Sequence, residues 1–157
     1  PGNPQMNLRL GYVLAESGRC REARAHFAAA MRAGSPTADA HLGLASCQAA
    51  AGEFDGALRT LRQGARHEPG NPIVIANIGL VLTDAGRPAE AIDPLQQALT
   101  AAPDLHQARF GLAIAFARLD RAGDAVATAR ELLRRLPPAA PQRADVERLL
   151  VTLSSPR

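Results

Sequence analysis

The side chains able to do chemistry are few, and their spacing does not suit it. His26, His41, His67 and His106 form no H-x-x-x-H or H-E-x-x-H pair, the spacing that sets two metal ligands on one helix face. They fall at unrelated places along the chain and read as ordinary surface or partly packed histidines. Glu53 and Asp55 flank a turn, where negative charge near a helix N-terminus accounts for them without a reaction. No nucleophile elbow, phosphate-cradling Gly-rich loop or dinucleotide fingerprint is present. Cys20 and Cys47 are too few and too far apart for a metal knuckle or a redox C-x-x-C pair. Two free thiols acting as small apolar fillers are expected. A disulfide is the minority alternative, because it needs Cα atoms within about 7 Å. The residues therefore predict no catalytic, cofactor or metal site, and a protein that is not an enzyme.

Composition bounds the remaining classes. The 157 residues are 46% apolar and 21% charged, enough to build a core, so the chain is not compositionally disordered. Aromatic residues make up 3% with no Trp, so packing relies on Leu, Ile, Val and abundant Ala, the best helix former. All 18 basic residues are Arg, a bias pointing to a GC-rich genome and a bacterial source. The net charge of +3 comes from arginines scattered among 15 acids, without the one-sided patch or stacking aromatics of a nucleic-acid binder. No apolar run reaches the roughly 18 residues of a membrane span. No signal peptide is visible, although the chain opens Pro-Gly-Asn without a start Met, which leaves a removed leader open. Cytoplasm and periplasm or cell envelope both stay open.

Candidate binding residues have to be held by some element, and the pattern in residues 71–104, NPIVIANIGLVLTDAGRPAEAIDPLQQALTAAPD, says which. Two helical patterns meet at Gly86-Arg87-Pro88, and the same pattern returns on both sides without insertion, giving units 4–37, 38–71, 72–105 and 106–139. The turn position holds Gly18, Gly52, Gly86 and Asp120, residues suited to left-handed backbone. The small residue where two helices cross is Ala23, Ala57, Ala91 and Ala125. The large one four later is Phe27, Leu61, Leu95 and then Ala129. Ser35 (with Pro36), Pro69, Pro103 and Pro137 close the units. The first-helix core row is Leu10/Gly11/Leu14, Leu44/Ala45, Ile78/Gly79/Leu82 and Leu112/Ala113/Phe116. IVIANIGLVL alone reads as a strand, and only the repeat phase overrules that. Pro94 predicts a kink inside a second helix.

This pattern resembles the tetratricopeptide repeat family, with its 34-residue helix–turn–helix unit, L-G-x-x-Y, A-x-x-x-F and terminal Pro. The family's first-helix Trp is replaced by Asn7, His41, Ile75 and Arg109, which weakens hydrophobic packing without disturbing the register. The resemblance implies an all-α fold, a right-handed superhelical α-solenoid of four repeats. Residues 1–3 repeat Pro69-Gly70-Asn71 and read as the tail of a preceding repeat, so that the first helix would expose a face. Residues 140–157 carry a stripe of Val146, Leu149, Leu150 and Leu153 and read as a capping helix and tail, starting where a fifth first helix would start.

In arrays of this family the inner face of the first helices lines a concave groove that binds peptides. Carried onto this chain, that face comprises Leu8, Arg9, Tyr12, Leu42, Ser46, Ile73, Ala76, Asn77, Leu80, Phe110, Ile114 and Arg118, with Gln5, Glu16, Asp39, Thr83, Asp84 and Gln107 beside them. Its apolar members form a track that serves a ligand or is covered within the protein itself. A chaperone-type carboxylate clamp of Lys and Asn is disfavoured, since Asn77 and scattered Arg are the sole counterparts. The resemblance implies a non-catalytic scaffold or adaptor for a protein or peptide partner, in a bacterial assembly or secretion system. Two alternatives stay open: a targeting or regulatory module of a larger enzyme such as a glycosyltransferase, and end-to-end self-association.

Overall fold

A computed structural model describes residues 3–33 and 38–154. Among these residues there are nine helices and no strand: α1 (Pro4–Glu16), α2 (Cys20–Arg32), α3 (Ala38–Ala50), α4 (Phe54–His67), α5 (Pro72–Asp84), α6 (Pro88–Ala101), α7 (His106–Arg118), α8 (Ala122–Arg135) and α9 (Arg143–Ser154). Consecutive helices pair as hairpins, α1 with α2 through α7 with α8, and each second helix also packs on the next first helix. The result is a right-handed α-solenoid. The stretch 73–82 is helical within α5, and α6 runs on through Pro94.

The joints explain the regularity. Gly18, Gly52 and Gly86 have φ of 75°, 76° and 74°, and Asp120 takes the same left-handed place at 57°. Each joint makes the same two bonds. Gly18 N–H donates to the Ala15 carbonyl and Arg19 N–H to the Leu14 carbonyl, and the pair recurs at Gly52/Glu53, Gly86/Arg87 and Asp120/Arg121. That bonding satisfies carbonyls that the helix end leaves open. Asn3 and Asn71 cap α1 and α5 alike, each Oδ1 accepting one backbone N–H at 2.9 Å and a second at 3.4 Å. Pro69, Pro103 and Pro137 follow the ends of α4, α6 and α8, because the residue before a proline avoids helical backbone. Ser35 and Pro36 lie outside the described residues.

Ala23, Ala57, Ala91 and Ala125 are all fully buried where the hairpins close. Phe27 fills a socket between hairpins: a methyl added to Gly11 would lie 2.7 Å from its ring, and one added to Gly43 closer still. Leu95 repeats the device against Gly79, at 2.5 Å. Interiors packed this tightly tolerate no added carbon without rearrangement.

Four expectations need correcting. Leu10 is 41% exposed instead of joining the core row; with Met6 and Val13 it forms a bare stripe on α1, a face that α3, α5 and α7 cover with the preceding helix. His41 is buried, its ring tilted against that of His67 at 5.2 Å, with Gly64 leaving room for it. Cys20 and Cys47 are not free thiols: their Cα atoms are 5.2 Å apart, across the packed α2/α3 joint, and the sulfurs are bonded. The last helix begins at Arg143, three residues after the strict repeat position, because Pro137, Pro138 and Pro141 hold residues 137–142 in turns.

Candidate binding groove

The first helices α1, α3, α5 and α7 touch side by side, while α9 packs on α8. This arrangement sets the relief of the surface they share. Between α3, α5 and α7 lies a depression of 250 Å³ lined by Ala45, Ser46, Ala49, Ala50, Leu61, Asn77, Leu80, Val81, Asp84 and Gln107. A second, of 410 Å³, opens between α7, α8 and α9, with Phe110, Leu132 and Val146 below and His106, Gln107, Gln142 and Asp145 around it. Gln107 borders both, so the two are neighbours along one surface.

The twelve residues expected to line a groove are spread across this surface. Ser46, Asn77 and Leu80 share the first depression and Phe110 sits in the second. Arg9 instead borders a shallow patch of α1 with Met6, Leu10 and Val13. Leu8 and Ala76 are buried, and Tyr12, Leu42 and Ile114 are half-buried, whereas Ile73 is exposed. The apolar track is therefore partly covered by the protein's own packing. Tyr12 donates its hydroxyl to the Asp39 carbonyl at 2.8 Å, and burial, then the Asp39 charge, push its phenol above the ordinary value. Asn77 Nδ2 donates to the Ile73 carbonyl at 2.8 Å, and Arg118 donates to the Thr83 carbonyl across α5 and α7. Thr83 in turn donates to the Gly79 carbonyl at 2.9 Å. These polar groups already hold the scaffold together.

Two of the family's Trp places have become polar struts. Asn7 meets His26 at 3.0 Å, and Arg109 donates to the Pro103 carbonyl at 2.6 Å. Burial, then the nearby Arg135, hold the Arg109 pKa below its usual value.

Charge is distributed unevenly. Second helices and turns neutralise their acids locally, as in Arg19–Glu22, Arg87–Glu90 and Arg121–Asp124, each at 2.7 Å. Glu16, Asp39 and Asp84, all exposed on first helices, form no ion pair among the described residues. Sequence reasoning missed His106, Gln142, Asp145 and Val146 as lining residues. The inner-face positions of the repeat, counted on from residue 140, fall on other residues, so the period alone does not find the last three. No group of three or more His, Cys, Asp or Glu among the described residues could hold a metal ion.

Comparisons agree with this geometry. The family model described as tetratricopeptide repeat matches residues 8–72 and 76–141. No curated protein matches by sequence. Among solved structures, the chain is similar to "MamA 41-end from Desulfovibrio magneticus RS-1", at 14% identity and TM-score 0.79 over 96% of this chain and 82% of that one. It is similar to YrrB, titled "a TPR protein with an unusual peptide-binding site", at 18% identity and TM-score 0.69 over 94% and 74%. It also resembles a Thermobaculum terrenum O-GlcNAc transferase mutant, at 23% identity and TM-score 0.77, covering 88% of this chain but 28% of that one. With most of its length matched by the repeat model and its hairpins stacked in register, the chain belongs to the tetratricopeptide repeat family.

Proposed function

We propose that this chain is a non-catalytic scaffold whose first-helix surface receives a peptide or helix of a partner protein, in a bacterial assembly or secretion system. The observation that carries the reading is the pair of adjoining depressions sharing Gln107, one mostly apolar between α7, α8 and α9 and one of mixed polar and apolar lining between α3, α5 and α7. The likeness to YrrB, whose title records a peptide-binding site, supports it. The groups best placed to contact a ligand are Ser46, Ile73, Asn77, Leu80, Phe110 and Gln107, with Tyr12, Leu42 and Ile114 supporting them. Leu8 and Ala76 act through packing, and Arg9 and Arg118 lie at the margin. The Cys20–Cys47 bond favours an oxidising compartment such as the cell envelope over the cytoplasm. No helix among the described residues is long and apolar enough to cross a membrane.

The test is a double substitution, Ser46→Arg with Gln107→Arg, which fills both depressions from exposed positions. Random dodecapeptides displayed on phage are selected on the unmodified protein, and the enriched peptides are then measured by fluorescence anisotropy. Loss of binding by at least about tenfold, or about 1.4 kcal/mol, is expected, with helical circular dichroism unchanged. Peptides that bind the variant as well as the original would remove the groove from consideration.

A second reading, a targeting module of a larger enzyme, draws on the O-GlcNAc transferase likeness, of which this chain spans 28%. Whether a catalytic domain accompanies these repeats in the full-length protein decides between the two.

A further inference from the structure

The protein carries 18 arginines and a net charge of +3, yet no arginine lines either depression. The only formally charged groups there are Asp84 in one and Asp145 in the other, and Gln107 borders both depressions. Asp84 is exposed and unpaired among the described residues, and Asp145 is exposed with one partner, Arg148, on its own helix. Eight of the other thirteen acids face an arginine, and what sets this surface apart in a basic protein is a lining with two acids and no arginine.

We infer that the partner segment is cationic: one apolar side chain enters the α7/α8/α9 depression over Phe110, Leu132 and Val146, and flanking Lys or Arg side chains meet Asp145 and Asp84. This rests on the groove reading above and adds to it a partner class and a role for α9. That helix becomes the far wall of a pocket, contributing Asp145 and Val146, with Gln142 just before it, as well as a cover for the hydrophobic end. Complementary charge sets which partners are rejected more than how tightly the right one is held. An acidic lining also repels phosphate backbones and acidic peptides.

The dodecapeptides selected on the unmodified protein test this directly. Lys or Arg should outnumber Asp and Glu next to the apolar residues of the enriched sequences. The best-enriched peptide should weaken about threefold for each of Asp84→Asn and Asp145→Asn, as expected of exposed ion pairs. It should weaken further as salt rises from about 50 to about 500 mM. Asp93→Asn, an exposed acid on α6 away from both depressions, should change nothing. Enrichment of neutral or acidic peptides, or equal binding by both Asp variants, overturns the inference. If those peptides still fail on the Ser46→Arg/Gln107→Arg variant, only the charge assignment falls. If they bind that variant too, the groove falls with it.

Discussion

At the scale of single residues, the absence of a Cβ is what lets the hairpins stack. Phe27 is fully buried because Gly11 and Gly43 give it a place. Gly43→Ala should therefore lower stability by about 1–3 kcal/mol, the range for overpacking a tight core, read from the urea midpoint. Gly56→Ala on α4, where the nearest atom is a flexible Gln48 side chain at 3.4 Å, should be neutral or stabilising by about 0.5–1 kcal/mol through helix propensity. Similar costs for the two would mean that the socket is not what holds the joint. The turn glycines and hairpin alanines were legible in the sequence, because a left-handed bend and a close crossing each admit few residue types. The burial of His41 was not. Its partners, His67 and Gly64, lie on the following helix, and nothing in a first-helix pattern says whether a polar side chain will find such neighbours.

Elements are joined by two kinds of tie beyond packing, one covalent and one ionic. The Cys20–Cys47 bond spans 27 residues and fastens α2 to α3, so in the chain-entropy account it contributes about 3–4 kcal/mol. Repeat arrays transmit stability mainly between neighbours. Reduction, or Cys20→Ser with Cys47→Ser, should accordingly speed amide exchange in α1–α3 and leave α7 and α8 nearly unchanged, as followed by hydrogen-exchange mass spectrometry. Uniform loosening along the chain would contradict nearest-neighbour coupling. The ionic ties are carboxylates. Glu68 accepts from the Ala38 N–H at 2.8 Å and from Asn71 Nδ2 at 2.6 Å, so it holds the start of α3 to the cap of α5. Those bonds lower its pKa, as Arg87 lowers that of Glu90 and Arg24 that of Glu53. A carboxyl with a depressed folded-state pKa stabilises fully above its unfolded value, near 4.3, and the contribution fades as pH falls through the folded value. The urea midpoint should hold steady from about pH 7 to about pH 5 and drop below about pH 4, with a smaller drop in Glu68→Gln. A midpoint rising on acidification would reverse the sign. Neither tie was visible beforehand: sequence spacing does not reveal that two cysteines or a glutamate and a helix start come within bonding distance.

Over the whole molecule, the solenoid was readable from phase alone, since four units in unbroken register leave little freedom in how hairpins stack. The surface proposed for binding was readable only in part. Positions in a repeat predict which way a side chain leaves the helix, but not which neighbour covers it, and so Leu8 and Ala76 proved buried. The second depression depends on the late start of α9 after Pro137, Pro138 and Pro141, a departure from the period that the period itself cannot foretell. The joints carry one more consequence. Because every bend closes with the same pair of hydrogen bonds at the same interval, removing or doubling a stretch cut from one bend to the next, such as 53–86, requires no new chemistry at the splice. The reach of this array is thus a quantity that recombination can change in whole steps, lengthening or shortening the molecule while leaving its ends as they are.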